Sequence, residues 1–481
     1  MVNEPSPQLV LALDQGGHGS RAILFDGCGT AIAESHVPVA TSHGEDGYIE
    51  QDPLELVGSL ACAAADVCES HAVAGRPIVA AGLATQRSTI VCWERSSGRA
   101  LTGAISWQDR RNAEWLDGLR PHAAEIRRLT GLVLSPHYGA SKLRWCLDHV
   151  PAVRRAAELG DLVFGPLSCY LLNRLLERHP LVTDPANASR TLLFDPTTLD
   201  WSQPLLDAFD IGRPCLPTCV PTRHGYGHLQ VGPRRIPVTA CTGDQSAAAF
   251  AFGTPDGRVA LVNVGTGAFV QRAVSADATL PDGLLRSVLR SDDTGAVYSH
   301  EGTVNGAGSA VEWLRGRVAL DVERALGSLA VRPSDDVPLF MNGVGGLGAP
   351  FWLPGFPVEF VGEGAEALRL AAVVESIAFL LRVNLDAMRR AAALHDVRIS
   401  GGMARCDYLC QSLADLCGLE VRRHELREAT ARGVAFLAAG EPQGWHDVPL
   451  ERAFRPQANE PLTARHRRWL AEMALRGAVA P

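Results

Sequence analysis

The sequence predicts a duplicated α/β fold, because a β-hairpin with a glycine-rich turn occurs once in each half of the chain. The first hairpin consists of apolar strands at 9–13 and 21–26 around the polar turn 15–20. The second has an apolar strand at 259–263 and a turn at 265–267, followed by a returning strand. Such turns expose backbone N–H groups, which bind phosphate oxygens. The two halves are therefore predicted to hold opposite ends of one phosphate chain.

Two other glycine segments extend this organisation. The turn 27–29 predicts a third strand beside the first hairpin. Late in the chain, a predicted strand at 397–400 is followed by two glycines and a predicted helix over 403–417. This arrangement predicts a nucleotide-binding site, since glycines let the backbone approach a base or ribose. The alternative for each segment is an ordinary turn.

One domain boundary is predicted near the middle of the chain. A chain of 481 residues is long enough for two to four domains of ordinary size. The turn-rich stretch 252–257 lies just before the second hairpin. We therefore expect an N-terminal domain at 1–252 and a C-terminal domain at 253–481.

Composition narrows the possible classes of protein. Apolar residues make up 46% and charged residues 20%, a balance that excludes wholesale disorder and fibrous structure. The net charge of −8 argues against a binder of nucleic-acid backbones. Glu375 and Arg382 interrupt the most apolar segment, 371–383, and Met1–Pro5 lacks the features of a signal peptide. We expect a cytoplasmic protein without nucleic-acid or membrane partners.

Lysine is nearly absent: Lys142 is the only one, so 44 of the 45 basic residues are arginine. A P-loop needs Gly-Lys-Ser/Thr, and a protein-kinase fold needs a lysine on a strand. No glycine-rich loop precedes Lys142, so both designs are excluded. A Schiff-base mechanism would depend on Lys142 alone.

The twelve cysteines do not form a recognisable site. Cys215 and Cys219 are separated by three residues, as are Cys406 and Cys410, and the chain has no Cys-x-x-Cys pair. The spacing argues against zinc and predicts buried, reduced thiols.

A series of motifs extends over nearly the whole chain in a characteristic order and spacing. They lie at 13–16, 20–22, 47–53, 85–89, 104–111, 183–190, 243–245, 346–352, 375–378 and 400–404. Together they resemble the FGGY carbohydrate kinases, and within that family the glycerol kinases. The resemblance implies a two-lobed, ribonuclease H-like fold of the sugar-kinase, actin and heat-shock ATPase type with a central cleft.

The resemblance also implies a reaction, namely ATP-dependent phosphorylation of a hydroxyl group on a small polyol or sugar, with Mg²⁺. Backbone N–H groups, a carboxylate-held metal and arginines would neutralise the phosphates, which accounts for the scarcity of lysine. Assembly as a homodimer or homotetramer is implied as well.

Two carboxylates are expected to be central. Asp244 follows an apolar stretch at 236–238 and a small-residue turn at 239–243, so we expect it at a strand end. The resemblance makes Asp244 the general base and, with Asp14, a metal ligand. The alternatives are a helix N-cap for Asp244 and a turn residue for Asp14.

For the nucleotide, the resemblance implies Asp14, Gly16, Gly17, Arg21, Gly265, Thr266, Gly308, Gly402 and Cys406. Two of these regions depart from the family pattern. The first turn has Gly17-His18-Gly19 where the glycerol kinases have a hydroxyl-rich run. Cys406 stands where many relatives have serine or asparagine.

For the acceptor, the resemblance implies Arg87, Ser88, Trp107, His137, Asp244, Gln245 and Phe269. Ser88 replaces a glutamate, and His137 replaces a tyrosine, with Tyr138 the alternative for that role. The alternative for Trp107 is packing in the core. Loss of a carboxylate that accepts two hydroxyl protons predicts an acceptor other than glycerol, such as a tetritol, pentitol or ketose. The alternative functions are phosphorylation of glycerol itself, nucleotide sensing without phosphoryl transfer, and filament formation by an actin-like protein.

Overall fold

A computed structural model describes residues 8–44, 47–73, 75–331 and 336–479 of the chain. The N-terminal stretch Met1–Pro5, weighed above as a signal peptide, lies outside the described residues. The chain forms two compact units. The first unit comprises Met1–Thr254, Ser287–Tyr298 and Glu428–Asp447, and the second comprises Pro255–Arg286, Ser299–Arg427 and Val448–Pro481.

The N-terminal part of the first unit alternates strands and helices. Its strands are β1 (Leu9–Gln15), β2 (Gly19–Phe25), β3 (Ala31–Pro38), β4 (Ser42–His43), β5 (Ile49–Gln51), β6 (Ile78–Thr85), β7 (Ile90–Glu94), β8 (Ala104–Ile105), β9 (Leu162–Pro166), β10 (Val182–Thr183), β11 (Phe194–Asp195), β12 (Asp200–Trp201), β13 (Thr218–Cys219), β14 (Arg223–Val231) and β15 (Arg234–Gly243). Its α-helices are α1 (Pro53–Glu69), α2 (Ala123–Thr130), α3 (Gly139–His149), α4 (Pro151–Glu158), α5 (Leu167–Leu175), α6 (Pro185–Ala188), α7 (Gln203–Phe209) and α8 (Asp244–Ala248).

The rest of the chain is built in the same way. Its strands are β16 (Val259–Val264), β17 (Ala268–Val274), β18 (Leu285–Asp292), β19 (Gly295–Val304), β20 (Leu339–Asn342), β21 (Val358–Val361), β22 (Asp396–Ser400), β23 (Glu420–His424) and β24 (Leu450–Phe454). Its α-helices are α9 (Gly308–Arg315), α10 (Val322–Gly327), α11 (Glu366–Ala391), α12 (Asp407–Cys417), α13 (Ala429–Ala438) and α14 (Glu460–Leu475), of which α13 belongs to the first unit.

The main sheet of the first unit has six strands in the order β14-β15-β6-β1-β2-β3. The predicted hairpin and third strand are confirmed, since β1 pairs antiparallel with β2 and β2 with β3. On its other side β1 runs parallel to β6, and β6 runs parallel to β15. Helix α13 covers β1 and β6, and Gly82 permits this contact because a Cβ there would lie 2.7 Å from the Val434 carbonyl oxygen.

A sheet of seven strands in the order β18-β19-β17-β16-β22-β23-β24 repeats this pattern. The second predicted hairpin is confirmed by antiparallel pairing of β16 with β17. As in the first sheet, the first hairpin strand also has a parallel neighbour, here β22, which itself runs parallel to β23. The predicted duplication of an α/β architecture is therefore confirmed.

The apolar segment 371–383 lies within α11 and belongs to the core of the second unit. Among the described residues, no helix is long and apolar enough to cross a membrane.

Two predicted elements differ from the structure. Residues 239–243 are not a turn but the end of β15, because they continue the parallel pairing with β6 up to Gly243 opposite Thr85. The helix predicted over 403–417 is interrupted. A short 3₁₀ turn at Gly402–Arg405 precedes α12, since the extended backbone of Cys406 (φ −78°, ψ 101°) separates the two.

All twelve cysteines are free, as predicted, but four of them are not buried. Cys62 is exposed, and Cys28, Cys215 and Cys219 are partly exposed. These thiols lie on surface segments rather than in the apolar core.

Candidate active site

The topology of the first sheet brings three polar segments to one edge. Strands β1, β6 and β15 are parallel neighbours, with Gln15 opposite Thr85 and Thr85 opposite Gly243. Because the carboxyl ends of parallel strands meet at the same edge, the residues that end or follow these strands are close in space. These residues are Asp14, Arg87, Ser88, Asp244 and Gln245.

Asp14 is a buried carboxylate, only 4% exposed, at the end of β1. Burial raises its pKa to about 7, and the nearby Asp244 carboxylate contributes in the same direction. The Arg21 guanidinium, 3.7 Å away, opposes this increase in pKa. Glu428 lies 3.6 Å from Arg21 and raises the pKa of Asp14 further. The site thus concentrates negative charge that a cation would relieve.

Asp244 forms an ion pair with Arg87. Oδ1 of Asp244 lies 3.8 Å from Nε of Arg87 and accepts a 2.7 Å hydrogen bond from the Gln245 backbone N–H. Gly243 occupies the cap position before α8, and Asp244 is the first helical residue. Asp244 is therefore not the N-cap of α8, which excludes that alternative role. Its side chain is 29% exposed, whereas Arg87 is buried.

Ser88 has a strained backbone and a buried hydroxyl group. Its φ of 64° lies in the left-handed region, which is unfavourable for residues other than glycine. Its Oγ has no hydrogen-bond partner within the described part of the chain. An unsatisfied buried hydroxyl at this edge is a group that a bound ligand would satisfy.

Trp107 and His137 lie beside each other, with ring centroids 5.7 Å apart. Trp107 is 36% exposed, so core packing does not account for it. Tyr138 is buried and lies under the Arg190 guanidinium, 5.1 Å from its ring centroid. Burial and the positive charges of Arg190, Lys142 and Arg87 lower the pKa of His137 well below its usual range, so the ring is neutral near pH 7.

The first glycine turn joins this region. A Cβ on Gly17 would lie 3.6 Å from Gln86 Oε1 and 4.0 Å from Trp107 Nε1. The Gly17 carbonyl oxygen accepts a 2.9 Å bond from Gln51 Nε2, and Gly16 N–H donates to the Gly19 carbonyl at 3.0 Å. His18 is exposed at the tip.

The hydroxyl that remains in this turn faces inward. Ser20 is buried, and its Oγ donates to Gln15 Oε1 at 2.7 Å. The turn can therefore offer a phosphate the backbone N–H groups at its tip and the His18 ring, but not the Gly16 N–H or the Ser20 hydroxyl.

In the second unit, backbone hydrogen bonds join the turn 265–267 to the start of α9. The Gly308 and Ser309 N–H groups donate to the carbonyl oxygens of Gly265 and Thr266, each at 2.9 Å. Gly308 is required for this approach, because a Cβ there would lie 2.7 Å from the Gly265 carbonyl oxygen. Thr266 is exposed at the tip of the turn.

The late glycine pair lies next to this turn within the second unit. Strands β16 and β22 are parallel neighbours, so the turn 265–267 and Gly401-Gly402 both follow carboxyl strand ends at one edge. Gly401 has a φ of +91°, and a Cβ there would lie 2.5 Å from the Val264 carbonyl oxygen. Gly402 is exposed, whereas Cys406 is only 5% exposed and precedes α12 as its cap. Phe269 lies on β17 and is partly exposed.

Three residues of the first unit were missed by the sequence analysis. Glu428 affects Asp14 and Arg21, as described above. Ser287 Oγ accepts bonds from Arg190 at 3.0 Å and Arg87 at 3.5 Å. Lys142 donates hydrogen bonds to the backbone carbonyl oxygens of Ser88, Ser106 and His137. Of the three, only Lys142 could be noticed in the sequence, because it is the single lysine. Glu428 and Ser287 contact residues that are far from them in the chain, so no local pattern indicates their role.

The residues fit a cation held by few protein ligands. No group of three or more His, Cys, Asp or Glu side chains arranged for a metal occurs in the described ranges. The coupled carboxylates of Asp14 and Asp244 suit Mg²⁺, which is usually bound by one or two carboxylates together with water and substrate phosphates.

Comparison with known proteins identifies the family. Residues 9–251 match the N-terminal domain of the FGGY family of carbohydrate kinases, and residues 260–440 match its C-terminal domain. The chain belongs to the FGGY family of carbohydrate kinases. It is 37% identical to a glycerol kinase from Geobacter sp. (strain M21), over 96% of this chain and 97% of the relative. It is 34% identical to a glycerol kinase from Shewanella pealeana, over 94% and 96% of the two chains.

Solved structures of a glycerol kinase and a xylulose kinase share the fold. A Plasmodium falciparum glycerol kinase crystallised with ADP aligns with a TM-score of 0.87 at 23% identity, covering 98% of this chain and 99% of that one. A xylulose kinase from Rhodospirillum rubrum aligns with a TM-score of 0.86 at 21% identity, covering 97% and 98%. The predicted sugar-kinase fold is therefore confirmed.

Membership in the FGGY family defines the reaction class. This FGGY kinase is a phosphotransferase that acts on an alcohol group, with ATP as the phosphoryl donor and a small polyol or sugar as the acceptor.

Proposed function

We propose that Asp244 is the general base of this kinase and that the acceptor binds at the edge formed by β1, β6 and β15. The ion pair between Asp244 and Arg87 carries this proposal, because it puts a partly exposed carboxylate beside a buried donor of hydrogen bonds. Asp244 would accept the proton of the acceptor hydroxyl as its oxygen attacks the terminal phosphorus, and ADP leaves. Arg87 and Gln245 would donate to the other acceptor oxygens.

Asp14 and Asp244 would hold Mg²⁺. The metal would neutralise charge on the phosphate oxygens. Support comes from the raised pKa of Asp14, since burial and the neighbouring carboxylate disfavour a second uncompensated negative charge. Arg21, 3.7 Å from Asp14, would add positive charge beside the first glycine turn.

The glycine turns are proposed to bind the nucleotide through backbone groups. In the first unit we propose Gly16, Gly17 and Arg21. In the second unit we propose Gly265, Thr266, Gly308, Gly402 and Cys406. The close approach of Gly308 to Gly265 supports a rigid phosphate-binding turn, because bonds from α9 hold its carbonyls and leave its tip exposed. Cys406 is buried, so its contribution would come through its backbone rather than its thiol.

The acceptor is proposed to be a tetritol, pentitol or ketose rather than glycerol. Ser88 is smaller than the glutamate expected from the resemblance. Its hydroxyl, which has no partner among the described residues, is suited to one ligand hydroxyl. Trp107 would cover a C–H face of the acceptor. Phe269, on β17, is proposed as an acceptor residue from the resemblance alone. The neutral ring of His137 would provide one donor and one acceptor of hydrogen bonds.

The test measures ADP release from ATP and Mg²⁺ with glycerol, tetritols, pentitols, ketopentoses and hexoses. We expect one of the larger acceptors to stimulate turnover more strongly than glycerol, and Asp244→Asn to remove the stimulation. Strong turnover with glycerol and none with larger polyols would establish a glycerol kinase. ATP binding without stimulation by any acceptor would instead favour the nucleotide sensor.

A further inference from the structure

The single lysine of the chain is completely buried. Lys142 lies in the first turns of α3, and its side chain has no exposed surface. Burying an ammonium group is costly unless hydrogen bonds compensate for the loss of water. Consistent with this cost, burial lowers the pKa of Lys142 to about 7, although the Asp109 carboxylate opposes the decrease and Arg111 adds to it.

The ammonium group of Lys142 donates hydrogen bonds to three backbone carbonyl oxygens. The acceptors are Ser106 at 2.7 Å, His137 at 2.8 Å and Ser88 at 3.1 Å. These residues belong to three separate segments. Ser88 follows β6, Ser106 follows β8 and His137 precedes α3. Lys142 therefore links three stretches of backbone at residues that lie outside the β-strands.

Each of these stretches carries a residue of the proposed acceptor site. Ser88 and His137 are themselves in the site, and Ser106 directly precedes Trp107. The left-handed backbone of Ser88 is also the kind of conformation that persists only when its surroundings hold it. The bond from Lys142 to the Ser88 carbonyl is one such restraint.

The choice of lysine at this position has a physical reason. An ammonium group is compact and has three N–H donors in a tetrahedral arrangement, which suits three converging carbonyl oxygens. The guanidinium group is planar, larger and directed at forked acceptors such as carboxylates. All 44 other basic residues of this chain are arginine, so the one position that is lysine is also a position whose geometry disfavours arginine.

We propose that Lys142 is a positioning residue for the acceptor site, fixing the backbone of Ser88, Ser106 and His137 so that Ser88, Trp107 and His137 face the substrate. It does not touch the reacting atoms. The inference rests on the proposed function, because it assumes that the acceptor binds among these residues.

The kinetic test compares Lys142→Arg and Lys142→Met with Arg144→Met. Arg144 lies on the same helix and pairs with Asp148 and Asp210, outside the acceptor site, so its variant controls for loss of a cation from α3. We expect both Lys142 variants to raise the acceptor KM by about tenfold or more while changing the ATP KM by less than about twofold. Arg144→Met should change neither KM. A purely structural role would lower the active fraction, and hence the apparent kcat, without moving the acceptor KM; that result would overturn the proposal.

A second measurement needs no variant, so it remains decisive if the Lys142 variants fail to fold. Lysine labelled with ¹³C at Cε gives one side-chain signal from this chain. We expect the signal to shift when the preferred acceptor is added to the wild-type enzyme, and to shift less with ADP alone. An unchanged signal at saturating acceptor would contradict the inference. A wild-type enzyme that phosphorylates no acceptor would refute the proposed function itself. An active enzyme whose Lys142 signal does not change with acceptor would refute only this inference.

Discussion

Nε of Arg87 lies 3.8 Å from Oδ1 of Asp244, and the two residues follow neighbouring parallel strands. Gly243 makes this possible, because a Cβ there would lie 2.5 Å from Cγ of Arg87. The contact joins the proposed general base to a proposed acceptor-binding residue. Substitutions at the two positions should therefore have separable kinetic effects.

Asp244→Asn should lower kcat by about 10²–10⁴-fold, the usual contribution of a general base, with a much smaller change in acceptor KM. Arg87→Gln should mainly raise the acceptor KM, because it removes a charged hydrogen-bond donor. Steady-state kinetics with the preferred acceptor measure both. Equal losses of kcat in the two variants, with unchanged KM, would contradict this division of roles.

Ser88→Glu should shift preference toward glycerol. A carboxylate at this position can accept two hydroxyl protons of a small polyol, and its greater bulk reduces the room for longer ones. The ratio of kcat/KM for glycerol and for the preferred larger acceptor measures the shift. Ser88→Ala is the control. It removes a hydroxyl with no partner among the described residues, so folding stability should change little while acceptor affinity falls severalfold. An unchanged ratio in Ser88→Glu would show that this position does not select the acceptor.

Trp107→Ala should weaken acceptor binding without unfolding the protein. Trp107 is 36% exposed, so its truncation is expected to cost about 1–2 kcal/mol of folding stability. Trp93 is fully buried, and Trp93→Ala should cost about 3–5 kcal/mol by comparison. Chemical denaturation and acceptor KM, measured on both variants, test the contrast. A large stability loss in Trp107→Ala would mean that this residue serves packing instead.

The two late glycines should respond differently to substitution. Gly401 has a φ of +91° and no room for a Cβ, so Gly401→Ala should destabilise the protein by at least about 1–2 kcal/mol. A Cβ on Gly402 would meet no atom of the described chain within 4 Å. Gly402→Ala should therefore leave stability unchanged but weaken ADP binding, which calorimetry measures. Undiminished ADP affinity would exclude Gly402 from the nucleotide site.

Acid should destabilise the second unit through two buried histidines. Burial is the largest cause that lowers the pKa of His300 and of His466 to about 4. In the unfolded chain a histidine binds its proton near pH 6.5. Between about pH 6.5 and 4 the unfolded state therefore binds more protons, and stability falls as pH falls, by up to about 3 kcal/mol for each histidine.

Denaturant titrations at several pH values between 7 and 4.5 measure this slope. His466→Phe should reduce the slope of stability against pH, because the substitution removes one titrating group. The aromatic ring is kept because His466 packs against the rings of Phe379 and Trp469. An identical slope in the variant would contradict the assignment to His466.

Local patterns were sufficient to predict the two hairpins and the strand before Gly401. In each, apolar runs end at glycine turns, and neighbouring residues along the chain determine the geometry. The same local reasoning failed at 239–243, where small residues suggested a turn. Those residues extend β15, because pairing with β6 supplies hydrogen bonds that the local sequence does not reveal.

Motif resemblance extended the prediction to the family, the reaction class and the candidate site residues, because short segments in a fixed order survive when the intervening sequence changes. The environment of those residues depended on long-range contacts. Glu428 forms an ion pair with Arg21, and Ser287 accepts a hydrogen bond from Arg87. Lys142 donates hydrogen bonds to three segments that are separate in the chain. Burial, charge coupling and the orphaned hydroxyl of Ser88 follow from such contacts. They are properties of the folded arrangement, since desolvation and electrostatic coupling depend on distances in space rather than on positions along the chain.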